Sequence, residues 1–357
     1  MSLRVLFYVR ANHDEVKGGD LVQLESTAAG LRRQGVTVDY SSDPAADLSS
    51  YDVVHIFNSP RFGECISFLE NAHRQHKPVA LSTIFWGKDE LAIGIANSSK
   101  MKLAKRVLGR SGSTLIWRQV KGLARFKASS NYSLERRLFA EADLLLPNSD
   151  GEMDEINRVY HVGRRPYRAV RNAIEATAFA KKPSTKREDF VLSVGRIELR
   201  KNTLQLIEAC HELGLHLVLI GGVVKGEPYN EECLAKIKQY GFDYAGTMPP
   251  DQIVPYYYRA RVHAIAAWYE TPGLATMEAA CGGCTIVSTN RGSTREYFGD
   301  LVHYCDPFSR ASLVKALRAA IAADPAEALR LRDKIMRDYT WDQAATDTLA
   351  GYRQLLG

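Results

Sequence analysis

Residues 190–202 read FVLSVGRIELRKN, and this stretch decides the fold. Phe190 to Val194 is apolar at four of its five positions, with Ser193 the exception, the pattern of a strand covered on both faces. It ends at Gly195, and a helix opens from Asn202. A strand that passes through a short loop into a helix is the repeating unit of a parallel α/β sheet. Downstream the alternation continues with a strand at Leu215–Ile220, a helix at Asn230–Tyr240 and a strand at Val262–Ala267. A helix from Leu274, a strand at Thr285–Ser288 and helices around Ser309–Ala323, Ala326–Asp338 and Trp341–Leu356 follow.

Upstream the same pattern appears. Arg4–Val9 reads as a strand, His13–Gly19 as a polar loop, and Leu21, Leu24, Ala28 and Leu31 recur at helical spacing until Gly35. Strands at Val36–Tyr40, Val53–Phe57, Val79–Ser82, Leu144–Leu146 and Ala169–Val170 follow, with a helix near Cys65–Gln75. Ser149 and Glu152 have the spacing of a capping box. The polar, basic stretch Ala176–Glu188 reads as a linker. The expected fold is therefore α/β: two doubly wound Rossmann-like domains, 1–175 and 176–338, facing across a central cleft at the carboxyl ends of their strands. Residues 339–357 form a closing helix.

Length and composition agree. A chain of 357 residues is long enough for two domains, and 45% hydrophobic with 25% charged residues excludes disorder. The early apolar run Val5–Val9 is too short for a signal peptide or a membrane span, which points to the cytoplasm. Six scattered cysteines give no disulfide framework. The single C-x-x-C, Cys281 and Cys284, supplies two ligands where a structural zinc site wants four, so no metal site is expected. Gly18-Gly19 and Gly221, Gly222 and Gly226 lack the G-x-G-x-x-G spacing, which disfavours a dinucleotide-dependent dehydrogenase.

Three groups of residues could carry chemistry. Glu270 and Glu278 flank the junction of an apolar strand with a helix starting near Gly273 or Leu274, where free amides would face an anion. Two carboxylates there could accept hydrogen bonds from sugar and ribose hydroxyls; a solvated acid with a chance neighbour is the plain alternative. Arg196 and Lys201 follow Gly195 at the end of the preceding strand. Cations are unfavourable at a helix start, so an anionic ligand explains them better; fixed cations there would stabilise a leaving diphosphate. Gly18 and Gly19 precede the first helix and would allow close backbone approach to an anion, or form an ordinary turn. His55, in an apolar strand, reads as a core histidine.

These residues carry a resemblance. The second half resembles retaining glycosyltransferases of family 4, of GT-B type. G-R-I-E-L-R-K-N from Gly195 is similar to their G-R-x-x-x-x-K segment, and Glu270 to Glu278 matches their E-x7-E motif. Gly273-Leu274, the run from Glu278, T-N-R-G-S-T-R-E from Thr289 and the closing Y-T-W-D extend it, with Gly18-Gly19 and D-V-V-H-I from Asp52 resembling the first domain. The resemblance implies catalytic roles for Glu270, Arg196 and Lys201: the cations on the diphosphate, Glu270 on the donor sugar. It places Gly18, Gly19, Gly195, Gly273, Leu274 and Glu278 in donor binding, with Glu278 on the ribose. It implies a nucleotide-sugar co-substrate, no cofactor and no metal, retention of anomeric configuration, and a last helix that crosses back to the first domain. The sequence departs from the family at S-T-I-F-W-G from Ser82, where a His is common, and at Thr271, Pro272 and Ala275.

Between Lys88 and Arg137 stand twelve Lys or Arg against three acids, a local +9 in a chain of net +6. Met101, Ala104, Val107 and Leu108 sit at helical spacing among these cations. Two readings stand open, a segment drawn to an anionic membrane surface and a solvated face over a core helix. Nucleic acid is disfavoured, since no stacking pattern or known module accompanies the charge. The leading expectation is a retaining glycosyltransferase acting on a glycan or lipid-linked acceptor in bacterial surface polysaccharide or lipopolysaccharide synthesis, peripheral at the inner face of the cytoplasmic membrane. The alternative is a non-catalytic GT-B-like partner subunit. The one-sided placement of the two glutamates argues against a glycosidase, the family-like motif against an epimerase, and the chain length against a phosphorylase.

Overall fold

Val53–Phe57 is buried at all five positions, as a parallel strand with helices on both faces must be. In the computed structural model the described residues are 3–10, 19–57, 62–85, 130–184 and 186–357. They divide into two units. The first holds the described residues up to Ala173 together with Trp341–Gly357, and the second holds Ile174–Thr340.

The first unit runs β1 (Arg4–Tyr8), α1 (Gly19–Arg33), β2 (Thr37–Ser41), β3 (Val53–Phe57), α2 (Phe62–Arg74), β4 (Val79–Ser82), α3 (Ser130–Glu141), β5 (Leu144–Leu146) and α4 (Asp150–Tyr160). Its five strands lie in the order β2-β1-β3-β4-β5, every neighbour parallel. Side chains of β1 alternate between two cores. Val5 and Phe7 pack with Leu24, Ala28 and Leu31 of α1, and Leu6 and Tyr8 with Leu69 of α2 and Ile156 of α4.

The second unit runs β6 (Glu188–Val194), α5 (Thr203–Leu213), β7 (His216–Ile220), α6 (Pro228–Tyr240), β8 (Asp243–Tyr244), α7 (Pro250–Arg259), β9 (Ala260–Ala264), α8 (Leu274–Cys281), β10 (Thr285–Thr289), α9 (Thr294–Phe298), β11 (His303–Cys305), α10 (Arg310–Ala322) and α11 (Pro325–Asp338). Its sheet is again parallel, in the order β11-β10-β9-β6-β7-β8. Leu192 and Val194 face Met277 and Ala280 of α8, while Val191 faces α5 and α10.

The last helix, α12 (Trp341–Leu356), packs with the first unit. Gly30 makes that approach close, since a Cβ there would lie 2.6 Å from the Ala345 Cβ. Tyr352 reaches the core of that unit, its hydroxyl 2.5 Å from His55 Nδ1, and His55 Nε2 lies 2.9 Å from Ser82 Oγ. His55 is therefore a satisfied core residue, and burial depresses its pKa to about 3.

Two sequence expectations change, and one helix is added. Ala169–Val170 is not a strand: the segment pairs with β5 through an isolated bridge at Tyr167 and the bond from Val170 N to Pro147 O. The strand expected to reach Ala267 ends at Ala264, because the following residues turn to bond the loop after β6, Trp268 N reaching Arg200 O. Helix α7 was obscured by its prolines, yet Pro250 sits in the first turn, where no donor is needed. The basic stretch falls largely outside the described residues. Its end, in α3, includes Arg137, paired with Glu70 and Glu141.

Candidate active site

The site is built on the exits of β6, β7 and β9. Gly195 takes φ 147° and Gly221 φ 151°, and a Cβ on Gly221 would lie 2.1 Å from Gly195 O. Only two glycines let these strand ends close on one another. The chain then makes a 3-10 turn over Leu199–Lys201, closed by Asn202 in the left-handed conformation at φ 55°. The Asn202 amide donates to Ala266 O and Pro307 O, both at 3.2 Å. Trp268 completes the clamp by donating from Nε1 to Leu199 O at 3.0 Å.

This clamp fixes Lys201 against Glu270. Lys201 Nζ donates to Glu270 Oε2 at 2.7 Å, and both side chains are largely buried, 16% and 8% exposed. Burial pushes the Glu270 carboxyl up, but the Lys201 and Arg200 cations outweigh it and hold the carboxyl below its usual value. Burial lowers the Lys201 ammonium. On the backbone, Glu270 is bridged to Gly292, whose φ of 82° and absent Cβ leave room for it: a Cβ there would lie 2.1 Å from Glu270 O.

Three residues after Glu270, Gly273 opens α8 with φ 91° and no side-chain cap. Thr276 N already donates to Gly273 O at 3.0 Å, so the Leu274 and Ala275 amides are the ones left without an intrahelical acceptor, at the positive end of the helix dipole, an arrangement suited to an anion. A Cβ on Gly273 would sit 3.0 Å from Glu270 Cγ, so the glycine is required by the packed carboxylate as well as by φ. Glu278 follows in the second turn. Its Oε2 accepts from the Tyr257 hydroxyl at 2.9 Å, and burial raises its pKa.

Of the residues named from the sequence, Gly195, Lys201, Glu270, Gly273 and Leu274 thus meet at the strand exits and the start of α8. Glu278 is engaged by Tyr257. Arg196 points outward, 64% exposed, its guanidinium 4.0 Å from Glu198 Oε2. Gly19 is the first residue of α1, in the other unit, and Gly18 lies outside the described residues. Cys281 and Cys284 are buried, and burial pushes both thiols up to about 12. Sequence reasoning missed Tyr257, Glu198 and Arg200. The last two stood inside the quoted motif, but only the 3-10 turn sets Arg200 between Glu198, at 2.9 Å, and Glu270, at 3.7 Å. Nothing in the sequence ties Tyr257 to Glu278.

Glu152 also departs from expectation in detail. Ser149 Oγ accepts from Glu152 N at 2.9 Å, as a capping box requires. The carboxylate, however, accepts from Asn148 N at 3.0 Å and Phe85 N at 2.7 Å, and from the Thr83 hydroxyl. The S-T-I-F segment is thereby tied to the start of α4.

Residues 175–336 match the family profile described as Glycosyl transferases group 1. The chain carries a glycosyl transferases group 1 domain. The domain spans the Lys201–Glu270 pair, the start of α8 and Glu278. Among curated proteins, the chain is 31% identical over 184 residues to the N-acetylgalactosamine-N,N'-diacetylbacillosaminyl-diphospho-undecaprenol 4-alpha-N-acetylgalactosaminyltransferase of Campylobacter jejuni, covering 49% of each chain. The chain spans about half the length of the curated relatives it matches. Among solved structures it is similar to sucrose-phosphate synthase from Thermosynechococcus elongatus, with TM-score 0.75, 16% identity and 99% of both chains covered. It is also similar to Anabaena Alr3699/HepE in complex with UDP and glucose, with TM-score 0.69, 13% identity and 98% and 99% covered. The fold is the α/β GT-B type, the group 1 domain forming its second parallel sheet. No helix among the described residues is long and apolar enough to cross a membrane.

Proposed function

We propose that the protein transfers a sugar from a nucleoside diphosphate sugar to a glycan or lipid-linked acceptor, with retention of anomeric configuration and without a metal. The observation that carries this reading is the buried Lys201–Glu270 pair set against the uncapped, glycine-opened start of α8. The α8 amides, Lys201 and Arg196 hold the diphosphate and neutralise the charge that grows as the sugar–phosphate bond breaks. Losing one such preorganised contact typically costs ~10² to 10³ in rate. Glu270 accepts hydrogen bonds from donor-sugar hydroxyls, and Glu278, oriented by Tyr257, from the ribose.

The acceptor hydroxyl attacks from the face the phosphate leaves. The departing phosphate oxygen takes the hydroxyl proton, so the products are the glycoside and the nucleoside diphosphate, and no protein nucleophile is needed. A nucleotide donor is supported by the UDP and glucose held by the similar Anabaena protein. A lipid-linked acceptor is supported by the diphospho-undecaprenol in the name of the Campylobacter relative and by the basic stretch 88–137, which would draw the enzyme to an anionic membrane face in surface polysaccharide or lipopolysaccharide synthesis. Flotation with anionic liposomes, lost in neutral ones, tests that attachment.

The activity itself is tested by nucleoside diphosphate release from a panel of nucleotide sugars, with undecaprenyl-diphosphate-linked glycans and oligosaccharides as acceptors. The linkage formed is read by proton NMR. Release with one donor, an anomeric configuration equal to the donor's, and loss in Lys201→Ala are expected. No release from any donor, or an inverted product, would overturn the reading.

A further inference from the structure

The ion pairs around Glu270 form one continuous chain. Arg196 lies 4.0 Å from Glu198 Oε2, and Arg200 NH2 lies 2.9 Å from Glu198 Oε1. Arg200 NH1 lies 3.7 Å from Glu270 Oε1, and Glu270 Oε2 is 2.7 Å from Lys201 Nζ. Charges alternate along these five residues, with one cation in excess. Arg196, Lys201 and Glu270 have roles in the function proposed above; Glu198 and Arg200, the two links between them, have none.

Their placement is specific. The Arg200 side chain is only 17% exposed and stands between two carboxylates. Its own carbonyl is held by Trp268 N at 3.1 Å, and the neighbouring carbonyl of Leu199 by Trp268 Nε1. Arg196 is the opposite case, an exposed arm with a loose 4.0 Å contact that it can leave at little cost.

The difficulty that this chain resolves is one of charge. Glu270 is 8% exposed, and a buried carboxylate stripped of its cation is strongly destabilised. If Lys201 turns to a diphosphate, Glu270 needs another cation. The Arg200 guanidinium presents five donors in a rigid fork, so it can serve two carboxylates together, and a movement of under about 1 Å would bring it from 3.7 Å to hydrogen-bond distance of Glu270.

We propose that Arg200 and Glu198 are positioning residues for the donor diphosphate, Arg200 holding Glu270 while Lys201 turns to the phosphates and Glu198 keeping Arg196 in reserve beside them. The proposal rests on the donor reading above. Neither residue touches the nucleotide in this scheme. Arg200 acts on it only through Glu270, and that makes the proposal separable from direct binding.

The test is a double-mutant cycle read by calorimetric titration of the full chain with UDP, which lacks the sugar that Glu270 would contact. Arg200→Met is expected to weaken UDP roughly tenfold, the size of one charge-assisted contact, and Arg200→Lys to recover part of the loss. Glu270→Gln removes the charge that Arg200 serves, so Arg200→Met/Glu270→Gln is expected to bind UDP within about threefold of Glu270→Gln alone. Additive losses in the double variant would show that Arg200 binds the phosphates itself, and unchanged affinity in Arg200→Met would show that Lys201 needs no relief. Either result overturns the proposal. If Arg200→Met does not fold, Glu198→Gln serves: Arg196 loses its hold, so UDP binding a few-fold weaker supports the relay, and unchanged or tighter binding refutes it. Wild-type protein that binds none of UDP, GDP, dTDP, ADP and CDP overturns the donor reading, and this proposal with it. Wild-type binding without coupling overturns the relay alone.

Discussion

Replacing Lys201 with Met removes the ammonium 2.7 Å from Glu270 and keeps most of the side-chain volume. The carboxylate it leaves is 8% exposed, and Arg200, at 3.7 Å, already serves Glu198. Removing one partner of a buried pair costs about 3–5 kcal/mol; the remaining arginine places the expected loss at the low end, about 3 kcal/mol. For a domain of this size each kcal/mol lowers Tm by roughly 2–4 °C, so a drop of about 6–12 °C is expected by calorimetry at pH 8. The pH dependence has a definite sign. In the wild type the folded carboxyl lies below its ordinary 4.5, so its stabilisation is complete above that pH and is lost only as pH falls through the folded value. Without Lys201 the carboxyl loses its strongest lowering cation, so its folded pKa rises and the folded variant takes up a proton before the folded wild type does. The variant therefore gains on the wild type as pH falls from 8 towards 5, and Lys201→Met/Glu270→Gln recovers much of the loss at any pH. A Tm within about 1 °C of wild type, or a gap that widens on acidification, would refute the reasoning.

Other outcomes follow from the same structure. Tyr352→Phe strips His55 Nδ1 of its partner in a fully buried site and is expected to cost about 1–3 kcal/mol in urea unfolding. His55 and His263 are both depressed to about 3 by burial. The unfolded chain therefore binds protons first, and stability falls from about pH 6.5 towards 3 by up to about 1.4 kcal/mol per pH unit for each, measurable as the urea midpoint across that range. Gly292→Ala forces a Cβ into Glu270 O at a φ of 82°; expected results are a lowered Tm and loss of nucleotide binding. All six cysteines are buried thiols, so a disulfide reagent should label them slowly in the native protein and all six at once in guanidinium.

Much of the fold was legible because parallel strands leave a plain trace. Phe190–Val194 and Val53–Phe57 are each apolar at four of five positions, interrupted by Ser193 and His55, and covered strands have no reason to alternate. The edges were not legible. β8 has two residues and β11 three, too few to stand out by periodicity, and α7 hides behind Pro249, Pro250 and Pro255. At the site, Glu270, Lys201 and Gly273 announced themselves by sitting at strand exits, where loops of apolar sheets place their polar chemistry. Tyr257 could not, because its link to Glu278 depends on how α7 packs beside α8. Arg200 and Glu198 stood in the quoted motif without an assigned role, since only the 3-10 turn over Leu199–Lys201 sets Arg200 between Glu198 and Glu270.

The central claim is that the exits of β6 and β9, with the start of α8, form a nucleoside diphosphate site. Its most direct measurement is thermal unfolding of the wild type and Glu278→Ala with UDP, GDP, dTDP, ADP and CDP. At a hundredfold above its Kd a ligand adds about 2.7 kcal/mol, or roughly 5–10 °C here. A rise of that size with one nucleotide, absent in Glu278→Ala, is the expected result; no rise with any of the five, or an equal rise in the variant, would contradict the account.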